Sequence, residues 1–312
     1  MSALRSRSIA APGVTSGIAF WLAAIVGVGV GAGCGGDPPV GPDASSVDGP
    51  AADAPDPSVT ETRSLTIGPV TVPAGAEATV CLVLDLGNAA PAMVRAIRTE
   101  LTDGTHHVIV TRSDSAPSPL APCGPFAGGG VDAGVLFIAQ QPTAALAYPD
   151  GAGLPIAAHQ SIHLEMHYFN AEPTGSLAIA GTVHLDLAPA TAGLREVELL
   201  FTGNSALNIP AHGTTTVTSS HGLPPGIRLF AATAHTHQWG TRATVELDGR
   251  LLHESTDWAE RPVSSFTPID IVSGQALRLT CEFFNQSDHQ VGFGLSAEDE
   301  MCFLWAHYVA AP

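Results

Sequence analysis

Short apolar runs separated by turn residues dominate this chain from residue 63 onward. The runs have the length and β-branched content of strands, and they are broken by Gly, Pro, Asn and Asp, which favour turns. No long stretch has the period of an amphipathic helix. The sequence therefore predicts an all-β protein. The predicted strands are Ser64–Val72, Ala78–Leu86, Val94–Leu101, His106–Thr111, Ile162–Phe169, Ala178–Leu187, Glu196–Phe201, Thr214–Thr218, Ile227–Ala234, Arg242–Leu247, Pro268–Ile271, Ala276–Phe284 and Cys302–Val309.

The spacing of these runs indicates how the sheets are organised. Many short strands at intervals of roughly ten residues are typical of antiparallel sandwiches or barrels. The segment Pro189–Gly193 is the expected hinge. We therefore predict two tandem antiparallel, jelly-roll-like β-sandwich domains, at residues 63–190 and 191–312.

The first 62 residues differ in composition from the rest. Arg5 and Arg7 precede an uncharged stretch over 17–33, which suits the apolar region of a signal peptide. Small residues stand directly before Cys34, so we predict a signal peptide at 1–33 and, by resemblance to bacterial lipoproteins, a lipidated Cys34; an uncleaved membrane anchor is the alternative. Residues 34–62, rich in Pro, Gly and Asp, are expected to be a disordered tether. The folded part is then exported and held by its lipid at a membrane of the bacterial cell envelope, or else secreted.

The excess of acidic over basic residues limits the classes of molecule that this protein can bind. Asp and Glu number 29 against 12 basic residues, and the formal net charge is −17 at pH 7. Such a surface repels a phosphate backbone. We therefore exclude nucleic acid and favour a small-molecule substrate.

Four cysteines remain after Cys34, and an even number in an oxidising compartment predicts disulfides. Three pairings are possible, of which nearest neighbours is the simplest. A cysteine metal site is the alternative, although the sequence has no C-x-x-C motif. The four residues are Cys81, Cys123, Cys281 and Cys302.

Histidines are concentrated on predicted strands. His106 and His107 are adjacent, so on a regular strand their side chains would point to opposite faces. A bulge or turn is needed for both to reach one metal ion. His167 lies on a later strand, and His235 and His237 share one strand face as a two-ligand chelate. Together with Met301, whose thioether favours copper(I), these imidazoles indicate a copper protein.

In this order the motifs resemble those of the copper type II, ascorbate-dependent monooxygenases. The resemblance covers about residues 63 to 310 and is strongest from His235 to Tyr308. It implies two β-sandwich domains that face each other across an open cleft, each holding one copper ion, so two per chain. The motifs that carry it are His106-His107, Leu164-Glu165-Met166-His167-Tyr168, His235-Thr236-His237 and Asp299-Glu300-Met301-Cys302.

The resemblance also implies roles for individual residues. The ligands of an electron-storing copper would be His106, His107 and His167. The catalytic copper, where O2 binds, would be held by His235, His237 and Met301. The implied disulfides are Cys81–Cys123 and Cys281–Cys302. The implied reaction hydroxylates a C–H bond with O2, and ascorbate or a similar reductant supplies two electrons.

Three positions depart from the peptide-amidating members of that family. Thr233 stands where they have an Arg that helps hold a substrate carboxylate, and Phe303 and Trp305 replace Asn and Tyr. We therefore expect an apolar or aromatic substrate near these three residues. The alternatives are a non-catalytic copper-binding or storage lipoprotein on the same fold, and an adhesion module that kept only the sandwiches.

Overall fold

The computed structural model describes residues 56–126, 134–259 and 261–312. Within these residues the regular structure is β-strand, apart from one 3-10 turn at Ala190–Ala192, which confirms the all-β prediction. No helix in the described part is long and apolar enough to cross a membrane. The predicted signal peptide, Cys34 and the tether up to residue 55 lie outside the described residues.

The described residues form twenty strands, numbered here in chain order. They are β1 Glu61–Pro73, β2 Glu77–Asp85, β3 Ala92–Leu101, β4 Thr105–Ser113, β5 Ser118–Pro122, β6 Val135–Ala139, β7 Thr143–Ala147, β8 Ala152–Ile156, β9 Ser161–Phe169, β10 Ser176–Pro189, β11 Arg195–Gly203, β12 Asn208–Ile209, β13 Thr214–Gly222, β14 Ile227–His235, β15 Gly240–Leu247, β16 Arg250–Ser255, β17 Ser264–Asp270, β18 Ala276–Phe284, β19 Val291–Gly292 and β20 Phe303–Ala310.

The strands form three main sheets and one two-stranded ribbon, β12–β19. In the first half, a five-stranded sheet in the order β5-β2-β9-β4-β6 is accompanied by the sheet β1-β10-β3-β8, with β7 also paired to β3. In the second half, β13-β18-β15-β16 is accompanied by β11-β20-β14-β17. A short parallel pairing of β8 with β11 joins the two halves into one nine-stranded sheet.

Each half has a large apolar core, and the cores are not separate. Val197, Phe230, Ala231 and Val309 belong to the second half but lie in the core of the first. A third cluster, of Ile109, Val135, Ile138 and Trp305, joins the halves directly. The domain boundary at residue 190 stays a prediction. The expected hinge region holds the 3-10 turn and a left-handed Gly193 with φ 67°.

Strands β4, β9 and β14 are buried along nearly their whole length. An outer strand of a sandwich normally alternates between buried and exposed positions. On β9, Leu164 and Met166 pack in the first core. The opposite face, with His167, is buried as well, because it faces the second half. These three strands carry four of the predicted ligand histidines.

Both disulfides have the predicted nearest-neighbour pairing. Cys81 on β2 is bonded to Cys123 just after β5. Cys281 on β18 is bonded to Cys302, which immediately precedes β20. The second bond therefore fixes the start of β20 directly after Met301.

The tether prediction extends too far along the chain. Glu61 and Thr62 are the first residues of β1 and pair with β10, where the Thr62 hydroxyl donates to Asp186 at 2.7 Å. Ahead of them, Asp56 accepts a hydrogen bond from Arg95 Nε at 2.7 Å. Polar residues suit this position because β1 is an edge strand with one side in water.

Candidate metal site

Five predicted ligand histidines meet at one place between the halves. Ring centroids lie 5.1 Å apart for His106 and His107, 5.3 Å for His106 and His167, and 5.1 Å for His235 and His237. His106 is also 5.3 Å from His235 and 5.6 Å from His237. All five side chains are between 1% and 6% exposed.

A β-bulge explains how the adjacent histidines reach the same place. Thr105 lies opposite Tyr168 and His107 lies opposite His167, so His106 is an extra residue in β4. Such a bulge leaves one residue unpaired and turns its side chain out of the regular alternation. The structure thus has the irregularity that the adjacent pair requires.

Within the described part of the chain, two groups of three histidines have ligand nitrogens within 4.8 Å of one another. One is the predicted trio of His106, His107 and His167, and the other is His106 with His235 and His237. His106 therefore belongs to both. The expectation of an open cleft between the two sets is wrong for this structure, because the apolar cluster around Trp305 brings the halves into contact.

Burial sets the charge of these imidazoles. Removal from water lowers the pKa of His106, His107 and His235 well below the ordinary value, and the neighbouring imidazoles lower it further. The pKa of His237 is lowered to about 4, mainly by burial. At neutral pH these four rings are uncharged, which is the form that binds a metal.

The unpartnered nitrogens of the cluster fit a metal ion. Among the described residues, both ring nitrogens of His106 and of His107, and Nε2 of His235, are buried without a hydrogen-bond partner. Buried polar atoms are nearly always paired, so each exception requires an explanation. A metal ion would bind one nitrogen of each of these rings, and copper and zinc both suit imidazole ligands.

Hydrogen-bond partners hold three of the rings from outside the cluster. His167 Nε2 is 2.8 Å from Glu77 Oε1, and His237 Nδ1 is 3.2 Å from the backbone oxygen of Asp299. His235 Nδ1 is 2.5 Å from Oε1 of Gln140. Partners of this kind orient metal-binding histidines and fix which nitrogen keeps its proton.

Glu300 connects Met301 to the histidine pair. Its buried carboxylate accepts the backbone N–H groups of His237 at 2.9 Å, Trp239 at 2.7 Å and Met301 at 3.0 Å. Burial raises the pKa of Glu300 to about 7 although these hydrogen bonds oppose the shift. The shared carboxylate holds the backbone of Met301 beside that of His237. Met301 is itself buried, at 4% exposure.

The three substrate-proximal residues have different surroundings. Trp305 lies 5.6 Å from His235, ring to ring. Phe303 instead stacks on Phe201 at 5.1 Å. The Thr233 hydroxyl donates to the backbone oxygen of Pro262 at 2.8 Å. Of the three, Trp305 alone lines the apolar recess next to the histidines, whose walls are His107, Ile109, Phe126, Ile138, His235 and Trp305. That recess leaves no room for a water molecule.

Sequence reasoning missed several residues of the site. They include Glu77 and Gln140, described above, and Trp258, whose ring lies 5.3 Å from that of His106. Arg261 is 1% exposed and donates through Nη2 to the hydroxyl of Thr236, between the two histidines. Burial lowers the pKa of Arg261 to about 10. None belongs to the histidine and methionine motifs, so no local signal marked them.

Comparison with known proteins points to one family. Residues 199–311 match the family model for the C-terminal domain of copper type II ascorbate-dependent monooxygenases. The chain is similar to dopamine beta-hydroxylase of Canis lupus familiaris, with 27% identity over 185 residues that cover 52% of this chain and 29% of that protein. Dopamine beta-hydroxylase of Rattus norvegicus is 29% identical over 189 residues, covering 52% and 30%. The match spans less than a third of the length of these relatives.

A solved structure, the major capsid protein P2 of bacteriophage PM2, aligns with 81% of this chain and 98% of its own. The TM-score is 0.31 and the identity 11%. Similarity this low supports no conclusion about function.

Proposed function

We propose that this chain, a member of the copper type II ascorbate-dependent monooxygenase family through its residues 199–311, hydroxylates a C–H bond of a small apolar or aromatic substrate. The substrate C–H bond and one atom of O2 become an alcohol, and the other oxygen atom leaves as water. The two electrons and two protons that this balance requires come from ascorbate or a similar reductant. The observation that carries the proposal is the group of buried, neutral imidazoles. Among the described residues, both ring nitrogens of His106 and His107 and Nε2 of His235 have no hydrogen-bond partner.

We assign two copper ions to the site. His106, His107 and His167 would hold one, and His235, His237 and Met301 the other, with His106 in reach of both groups. Bound copper supplies one-electron redox chemistry and the activation of O2. Imidazole ligands are compatible with both copper oxidation states, and the thioether of Met301 favours copper(I).

The apolar recess supports the substrate class. His107 and His235 both line it, and the remaining walls are aliphatic or aromatic. No Asp, Glu, Arg or Lys is among these described wall residues, so they offer no opposite charge to a carboxylate or an ammonium group. Because the recess is too narrow for water, substrate entry requires its side chains to move or the halves to separate.

We also propose export and membrane attachment. Two disulfides favour an oxidising compartment outside the cytoplasm. The small residues before Cys34 support attachment through a lipid at that residue. Mass spectrometry of the mature N-terminus tests this, since a mass without lipid at Cys34 contradicts it.

The narrow recess also favours a second candidate, a protein that stores or delivers copper without turnover. Such a protein needs the ligands but no space for a substrate. Copper stoichiometry alone does not separate the two functions, because both bind metal. Ascorbate-dependent consumption of O2 with formation of an alcohol does.

The test combines metal content and turnover in the full chain. We expect two tightly bound coppers and hydroxylation of small aromatic compounds. Met301→Leu keeps the volume of the side chain and removes the sulfur, so hydroxylation should be lost while the copper of the other set stays bound. Met93→Leu, on β3 away from the site, is the matched control. Wild-type protein that binds no copper contradicts the proposed function, and full activity in Met301→Leu contradicts the assignment of that ligand.

A further inference from the structure

Gln140 connects the first half of the molecule to a ligand histidine of the second. It directly follows β6 and is 2% exposed. Its side-chain oxygen lies 2.5 Å from Nδ1 of His235, and its backbone oxygen accepts the N–H of Arg261 at 3.2 Å. Both His235 and Arg261 belong to the second half, so Gln140 is bound to it at two points.

The contacts of its amide nitrogen fix the orientation of the Gln140 side chain. Nε2 is 3.2 Å from the backbone oxygen of Ala234, which can only accept a hydrogen bond. The amide therefore donates there and turns its oxygen toward His235. Because that oxygen is an acceptor, Nδ1 of His235 must carry the proton.

A neutral imidazole has one proton, so Nε2 of His235 then holds the free lone pair. Among the residues that the structure describes, this nitrogen has no hydrogen-bond partner, and its ring lies 5.1 Å from that of His237. The Gln140 contact thus selects the form of His235 that presents a lone pair to the cluster.

We propose that Gln140 is a positioning residue that holds His235 in the Nδ1-protonated form and so prepares Nε2 to bind copper. The inference rests on the proposed function for the identity of the metal, but not for the state of the ring. It also means that the first half supplies the residue that orients a ligand of the second half. A second half that is not docked on β6 would lack the group that selects this form.

The first test is made on the metal-free full chain and needs no turnover. Long-range 1H–15N correlation spectra distinguish the two neutral forms of a histidine ring, and His235→Gln identifies the His235 signals by their loss. We expect the Nδ1-protonated form in the wild type and a mixture of forms, or the other form, in Gln140→Leu. Gln140→Glu keeps an acceptor oxygen beside His235, so this variant should retain the Nδ1-protonated form of the wild type. Gln141→Leu, next in the chain and half-buried, is the matched control and should leave the form unchanged.

The second test measures copper(I) affinity by competition with a chelator. Loss of a partner that orients a ligand typically weakens metal binding about 10- to 100-fold. We expect such a loss at one of two sites in Gln140→Leu and none in Gln141→Leu. If the ring form and the affinity are both unchanged in Gln140→Leu, the role of Gln140 is refuted. If the wild type binds no copper but its ring form depends on Gln140, the proposed function fails while the positioning role stands.

Discussion

His253 and His307 are buried imidazoles outside the proposed ligand sets, and they make the stability of the metal-free chain depend on pH. Burial lowers the pKa of His253 to about 3 and that of His307 to about 4, from the ordinary 6.5. A histidine with a lower pKa in the folded chain binds its proton more readily when unfolded, so acid favours unfolding. The contribution of these histidines to stability is therefore fully present above pH 6.5. It is lost as the pH falls from 6.5 toward their pKa values in the folded chain.

The size of the effect follows from the size of the shifts. For each of these histidines, the free energy of unfolding falls by about 1.4 kcal/mol for every pH unit below the pKa of the unfolded chain. At about pH 5 the loss is about 2 kcal/mol per histidine. Equilibrium urea unfolding of the full chain in EDTA, at about pH 7.5 and about pH 5, measures it. His253→Gln removes one titrating group, so its loss of unfolding free energy between the two pH values should be about 2 kcal/mol smaller than that of the wild type.

An exposed histidine provides the control for this measurement. His289 is exposed between β18 and β19, and His289→Gln should behave as the wild type does. If His253→Gln and the wild type lose the same stability on acidification, His253 is not a neutral buried group in the folded chain. The reasoning from burial would then be refuted.

Three further outcomes are expected. Glu77→Gln should weaken copper(I) binding at the His167 set by about 10-fold or more, measured by chelator competition, because Glu77 holds His167 Nε2 at 2.8 Å. Trp305→Ala should lower the free energy of unfolding by about 3–5 kcal/mol in urea titration, because it empties a buried site between the halves. Removing copper by chelation should lower stability by about 4 kcal/mol in a thermal or urea assay, if free copper had stood about 1,000-fold above its dissociation constant.

Surface variants provide the controls for these outcomes. Glu172→Gln, at an exposed position, should leave copper affinity unchanged, and Leu251→Ala, at a side chain 44% exposed, should change stability little. Equal copper affinity in Glu77→Gln and Glu172→Gln contradicts the role of Glu77. A change below about 1 kcal/mol in Trp305→Ala contradicts close packing at that site. Unfolding that is the same with and without copper contradicts a metal site in the folded chain.

Local patterns in the sequence were sufficient to predict most strands and one detail of the site. The thirteen predicted runs all overlap strands of the structure. The adjacent pair His106-His107 required a bulge or a turn, and a bulge is present in β4. Nearest-neighbour disulfides were also correct. The strands and the bulge depend on residues close together in the chain, whereas the disulfides join cysteines 42 and 21 residues apart and follow the simplest pairing.

The contacts between distant segments could not be predicted in that way. Glu77 lies 90 residues before His167, and Gln140 lies 95 residues before His235. Nothing in the residues flanking Glu77 or Gln140 marks them as partners of a histidine. The meeting of both histidine sets at His106 depends on how the halves dock, which is determined by scattered apolar residues such as Ile138 and Trp305. Strands β6 and β8 were not among the predicted runs.

The pairing of β8 with β11 has a consequence for how the chain melts. That pairing continues one sheet through both halves, and Val197, Phe230 and Val309 of the second half lie in the core of the first. Neither half can lose its structure without exposing apolar surface of the other. Calorimetry of residues 56–312 should therefore show a single cooperative transition, with equal calorimetric and van't Hoff enthalpies. A fragment beginning at residue 191 should expose these side chains and aggregate.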